Sequence, residues 1–128
     1  MVDIISMNCQ GLGNFEKRKD VFNYIHGNFK NSNIICLQDT HFVPEKENLI
    51  RSQWGFDCIF NSFTSNSRGV CVLFHNNFQY KVNNIKSDLN GNFLILDISI
   101  DDRRFTLVNL YGPNNDSPAF LHKIAHFT

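Results

Sequence analysis

Four apolar side chains, Ile34, Ile35, Cys36 and Leu37, run straight into an amide, a carboxylate, a hydroxyl and an imidazole at Gln38, Asp39, Thr40 and His41. Bounded by Asn33 and Pro44, this run reads as a strand buried on both faces that releases its polar residues at its C-terminal end. In open α/β sheets that edge is where chemistry sits. A carboxylate fixed there can hold a hard cation such as magnesium, which takes oxygen ligands and leaves coordination places for water and phosphate. The same residue types also suit a plain strand exit, with Asp39 beginning a turn and Thr40 or His41 capping the next segment. A second polar edge follows Val2 to Met7, where the chain reaches Asn8. A third lies at Asn109 to Asn114: the Tyr111 hydroxyl and the Asn114 amide are uncharged groups able to hold phosphate oxygens. Gly112, Pro113 and Asn114 equally suit a simple loop against which Tyr111 packs.

The elements around these edges decide whether they meet. The Gly11 and Gly13 pair permits a tight, irregular loop after Asn8. From Glu16 to Phe29 the apolar positions Val21, Phe22, Ile25 and Phe29 recur at helical spacing, so an amphipathic helix is expected. First strand, helix and Ile34 strand then form a β-α-β unit with parallel strands, placing Asn8 and Asp39 at one edge of a sheet. A short helix is expected over Glu45 to Gln53, then apolar residues at Cys58 to Phe60 and a polar loop from Asn61 to Arg68. Strands are expected over residues 69–74, 78–85, 93–100 and 105–110. Asn90-Gly91 suits a two-residue hairpin, and Asp101-Asp102 a second turn.

Consecutive strands after a helix-bearing start indicate a mixed sheet with antiparallel meander character. Residues 70–74 and 93–96 are apolar on both faces, which requires cover on both sides. The helices, including a terminal segment at 118–127, suffice for one face. The expectation is therefore an open apolar sheet face that invites self-association or a partner.

Composition bounds the class. The chain has 128 residues and is 42% hydrophobic, enough for one domain with a real core. Lys and Arg match Asp and Glu at 12 each, so no basic excess announces nucleic acid, although a local groove can be basic on a neutral protein. Cys9, Cys36, Cys58 and Cys71 show no metal-type pairing and read as reduced core residues of an intracellular protein. Neither a secretory signal nor an apolar membrane span is evident.

Four stretches carry a resemblance: Met7-Asn8-Cys9-Gln10-Gly11-Leu12-Gly13, Cys36-Leu37-Gln38-Asp39-Thr40, Ser67-Arg68-Gly69-Val70 and Asn109-Leu110-Tyr111-Gly112-Pro113-Asn114. In this order and spacing the chain resembles the endonuclease/exonuclease/phosphatase superfamily. Within it the nearest likeness is the apurinic-type endonuclease domain at the front of long-interspersed-element (non-LTR) retrotransposon proteins. The resemblance implies a four-layer α/β sandwich, two sheets face to face with helices outside, that hydrolyses DNA phosphodiesters with magnesium, or manganese in its place. It implies that Asn8 positions the metal and the attacking water and that Asp39 falls where the family has its metal-binding glutamate. Tyr111 and Asn114 match the residues that contact phosphate and backbone. Gln38 would orient the neighbouring carboxylate, and Arg68 lies in a loop able to approach DNA. A nuclear location is implied when the domain is part of a retrotransposon protein.

Two departures qualify that likeness. Asp39 is one methylene shorter than the family glutamate, so its oxygens fall about 1.5 Å short. The family's later Asp-x-Asn motif and closing Asp-His pair have no counterpart before Thr128, and Asp101, Asp116 and His122 lie in other contexts. Residues 1–128 are thus expected to be a single partial domain: α/β, half of a four-layer sandwich with the second half absent, a mixed sheet with helices on one face, and inactive alone. The alternatives are a non-catalytic remnant or interaction module using its open sheet face, and a small-substrate phosphoesterase of the same fold.

Overall fold

The computed structural model describes residues 2–75 and 78–112. Strand β1 (Ile4–Asn8) leads through a loop to helix α1 (Phe15–Asn28), and β2 (Ile34–Gln38) follows. A single 3-10 turn at Pro44–Lys46 runs into helix α2 (Glu47–Trp54). The strands β3 (Cys58–Asn61), β4 (Val70–Phe74), β5 (Lys81–Ser87), β6 (Phe93–Ile100) and β7 (Arg103–Leu110) complete the order. Helix α1 begins where the Asn14 side chain accepts a hydrogen bond from the Lys17 N–H at 2.9 Å, an N-cap that satisfies one of the orphan donors of the first turn.

The expected β-α-β unit is present: β1 and β2 are parallel, with Asn8 beside Gln38 in register. Strand β4 then pairs antiparallel with both β2 and β3, giving a mixed four-stranded sheet in the order β1-β2-β4-β3. The later strands form a separate three-stranded antiparallel sheet in the order β5-β6-β7.

That second sheet corrects the expectation of an open apolar face. Ile34, Cys36, Val70, Val72 and Phe74 on one face of the first sheet pack against Leu94, Leu96, Ile98, Ile100 and Leu107 of the second. The opposite face, with Ile35, Leu37, Cys71 and Leu73, packs against Phe22 and Ile25 of α1 and Ile50 and Trp54 of α2. Each such side chain, taken fully out of water, contributes about 1.5–3 kcal/mol. The central strands β2 and β4 are therefore apolar on both faces because a helical layer lies on one side and a sheet on the other. Sequence patterning shows that both faces need cover, but not that a later segment of the same chain supplies it. The self-association and interaction-module readings lose the feature that motivated them.

Two turns behave differently. Asp101 and Asp102 have φ of +52° and +62° and join β6 to β7 directly, the two-residue turn expected. Asn90-Gly91 does not make a two-residue hairpin, because β5 ends at Ser87 and β6 begins at Phe93. Asp88 organises this longer connection: its carboxylate accepts from the backbone N–H of Asn92 and Phe93 and from the amides of Asn61 and Asn92. The expected terminal segment at 118–127 lies outside the described residues. Among the described residues no helix is long and apolar enough to cross a membrane.

Candidate active site

Strands β1, β2 and β7 finish at the same end of the sandwich, and there the candidate side chains gather. Parallel pairing sets Asn8 beside Gln38, and Asp39 follows Gln38 directly. Asn8 is exposed, while Asp39 is partly buried. The second sheet arrives through Asn109 on β7, which is 1% exposed. Its amide nitrogen donates to the carbonyls of Leu37 at 3.2 Å and Cys71 at 2.9 Å, and its oxygen accepts from Gln38 Nε2 at 2.8 Å. Tyr111 lies two residues beyond, half-buried against the core between the sheets, with its N–H donating to Asn92 O at 2.7 Å.

Gln38 departs from its expected role. Its Nε2 donates to Ser6 Oγ, Asn109 Oδ1 and Cys36 O, so the amide ties strands together rather than orienting the carboxylate of Asp39. That carboxylate is held by other groups. Asp39 Oδ1 accepts from the Arg68 N–H at 3.2 Å and lies 2.9 Å from His41 Nε2. Since a carboxylate only accepts, the imidazole donates through Nε2.

The backbone here is held away from common conformations. Gln10, Asp39, His41 and Arg68 all have positive φ, between +51° and +63°, although none is glycine. Cross-loop hydrogen bonds sustain them: Gly11 N–H donates to Asp39 O at 2.8 Å, Leu12 N–H to Thr40 O at 2.7 Å, and His41 N–H to Arg68 O at 2.9 Å. Gly69, at φ +93°, lies so close to Thr40 that an added Cβ would fall 2.5 Å from its Oγ1. Thr40 is fully buried, its N–H donating to Gly69 O at 3.0 Å, which gives it a structural place here. Arg68 turns its guanidinium over the Phe63 ring at 5.2 Å.

The thiol nearby is held in its protonated form. Burial pushes Cys9 up to about 12, and its sulfur lies against Met7 O. For magnesium, the donors are hard oxygens. Among the described residues no hydrogen bond engages Asp39 Oδ2, and Asn8, an exposed residue, carries an amide oxygen. Among the described residues no group of three His, Cys, Asp or Glu side chains could hold a metal. One carboxylate with one amide fits an ion that keeps most of its water and takes further ligands from phosphate. Asn114 lies outside the described residues.

Of the sequence candidates, Asn8, Gln38, Asp39, Arg68 and Tyr111 are thus brought to one end of the fold. Two positioning groups were missed. Asn109 carries the signal of a polar residue on the inward alternation of Phe105 and Leu107. The sequence sets the His41 imidazole at the polar strand end, where it equally suits a cap, and the reversal that returns its ring to Asp39 has no signature in the sequence.

No family model matches the chain. In sequence it is similar to an uncharacterized 149 kDa protein of transposon TX1 from Xenopus laevis, 30% identical over 113 residues, covering 88% of this chain and 8% of that protein. In structure it is similar to the AP endonuclease LMAP from Leishmania major, with a TM-score of 0.67 at 16% identity over 98% of this chain and 44% of that one. It is also similar to the 3' phosphatase NExo from Neisseria, solved with a product DNA hairpin, with a TM-score of 0.62 at 20% identity over 99% of this chain and 49% of that one. The chain therefore has the α/β endonuclease/exonuclease/phosphatase-type fold and spans less than half the length of the solved structures that share it.

Proposed function

We propose that this chain is the front part of a magnesium-dependent DNA endonuclease that nicks target DNA for a retrotransposon. The observation that carries the reading is the 2.8 Å bond from Gln38 to Asn109, which locks the end of β2 to the end of β7. It sets Asp39 and Tyr111, distant in sequence, on one edge with Asn8. Similarity to a transposon protein and the fold shared with an AP endonuclease and a DNA-bound 3' phosphatase support DNA as the substrate.

In this reading Asp39 and Asn8 would hold magnesium, or manganese in its place, through their side-chain oxygens. The ion, when bound, neutralises charge on a phosphate oxygen. The Tyr111 hydroxyl donates to another phosphate oxygen and fixes the scissile group. Arg68 supplies positive charge to the flanking backbone. Asn114 is proposed to contact the same backbone. No group in this set can take the proton of an attacking water without giving up its positioning role, so the segment by itself is proposed to be inactive. Action in the nucleus belongs to the same proposal.

The test is nicking of supercoiled plasmid with magnesium or manganese against a chelator. The 128-residue chain alone is expected to leave the plasmid intact. A fusion carrying the remaining half of a fold relative is expected to nick it, and to lose that activity with Asn8→Ala or Asp39→Ala. Nicking indifferent to both substitutions would overturn the site.

A further inference from the structure

We infer that His41 is a positioning residue that makes the short carboxylate of Asp39 usable as a single-oxygen metal ligand. The inference rests on the reading of Asp39 as a metal carboxylate and adds which group holds it. An aspartate side chain rotates about two torsions, and a ligand free to rotate loses order on binding a cation. Here Oδ1 is occupied twice, by His41 Nε2 at 2.9 Å and by the Arg68 N–H at 3.2 Å, on a carboxylate only 21% exposed. Both bonds use the same oxygen, and among the described residues no hydrogen bond engages Oδ2, which is the oxygen left to a metal. Held this way, the carboxylate would bind through Oδ2 rather than chelate.

The imidazole is itself fixed. Its residue has φ of +60°, held by the His41 N–H bond to Arg68 O. Its ring is wedged against the β1-α1 loop: a Cβ added to Gly11 would stand 2.8 Å from Nδ1 and 3.2 Å from Cε1. Glycine at position 11, at φ +91°, is what leaves room for the ring. The loop that carries Gly11 leaves β1 just after Asn8, so one contact set fixes Asp39 with respect to the strand bearing the other metal donor. Groups that hold a ligand in this way set metal affinity by fixing its orientation.

The probe is Mn2+, titrated into the full chain and followed by the paramagnetic resonance signal of the free ion, with no turnover required. His41→Ala is expected to weaken Mn2+ binding about 10- to 100-fold. His41→Gln, whose amide nitrogen can donate from about the place of Nε2, is expected to recover most of that loss. Urea unfolding of both variants without metal separates affinity from folding. Should His41→Ala prevent folding, the unaltered chain and His41→Gln are compared with His41→Leu, which fills the seat but cannot donate. Mn2+ binding abolished by Asp39→Ala but equal in the His41→Gln and non-donating variants overturns the positioning role alone. Absence of Mn2+ binding, or binding that survives Asp39→Ala, overturns the metal reading and this inference together.

Discussion

Gln38 Nε2 donates to Asn109 Oδ1 across 2.8 Å, joining residues on β2 and β7 that belong to different sheets. The sandwich is closed above by apolar packing, which is indifferent to small slips. At the site end it is closed by directional bonds, which are not. Asn109 spends both amide protons on carbonyls of the first sheet and its oxygen on Gln38, so its side chain is satisfied only in this register.

Replacing Asn109 with Ala therefore removes a buried donor from Leu37 O and from Cys71 O, while Gln38 Nε2 keeps Ser6 Oγ and Cys36 O. The expected cost is about 3 kcal/mol of folding stability, read from urea unfolding. A loss under 1 kcal/mol would mean that water replaces the amide.

Two glycines should respond in opposite directions. Gly69→Ala combines φ +93° with a Cβ 2.5 Å from Thr40 Oγ1, and is expected to destabilise by about 2 kcal/mol or more. Gly27 lies in the last turns of α1 with nothing within 4 Å of an added Cβ. Gly27→Ala is expected to stabilise by about 0.5–1 kcal/mol, since alanine loses less conformational freedom in a helix. Thermal melting of the pair checks both signs.

The cysteines should be slow to alkylate. Burial pushes Cys36 up to about 11 and Cys58 up to about 12, and holds Cys71 well above the ordinary thiol range. At pH 8 all three are expected to react with iodoacetamide roughly 100-fold or more slowly than a free thiol, and at the ordinary rate in denaturant. Mass spectrometry of the timed reaction reads each site.

Acidification should loosen the helical layer. His75, 3% exposed, meets His26 ring to ring, with Nδ1 of His26 2.9 Å from Nε2 of His75, and Trp54 stacks on His26. Burial, and then the nearby His26, hold His75 below the usual histidine range. The unfolded chain thus takes up the proton first as pH falls. This contribution to stability is present above the ordinary histidine pKa and is lost as pH drops through it towards the lower folded value. Melting temperature should fall between pH 7.5 and 5.5, and less steeply in His75→Gln.

Much of the fold was legible because it is local. Apolar alternation and helical spacing gave β1, α1, β2, α2 and β6 nearly to their ends, and the parallel β1-β2 pair followed from the crossover between them. Asn8, Asp39 and Tyr111 were legible for the same reason: each is a polar residue at the end of an apolar strand, and strand ends are marked in sequence.

What the tertiary structure alone decided is how those ends face one another. Strand patterning has a period of two and says which face is apolar, never which later segment covers it, so the division into two packed sheets was hidden. The partners of Gln38 and Asp39 were hidden by the same physics. A hydrogen bond is set by position and angle in space. Only folding through the positive-φ turns at Asp39, His41 and Arg68 brings an imidazole, a backbone N–H and an asparagine from a second sheet to these side chains.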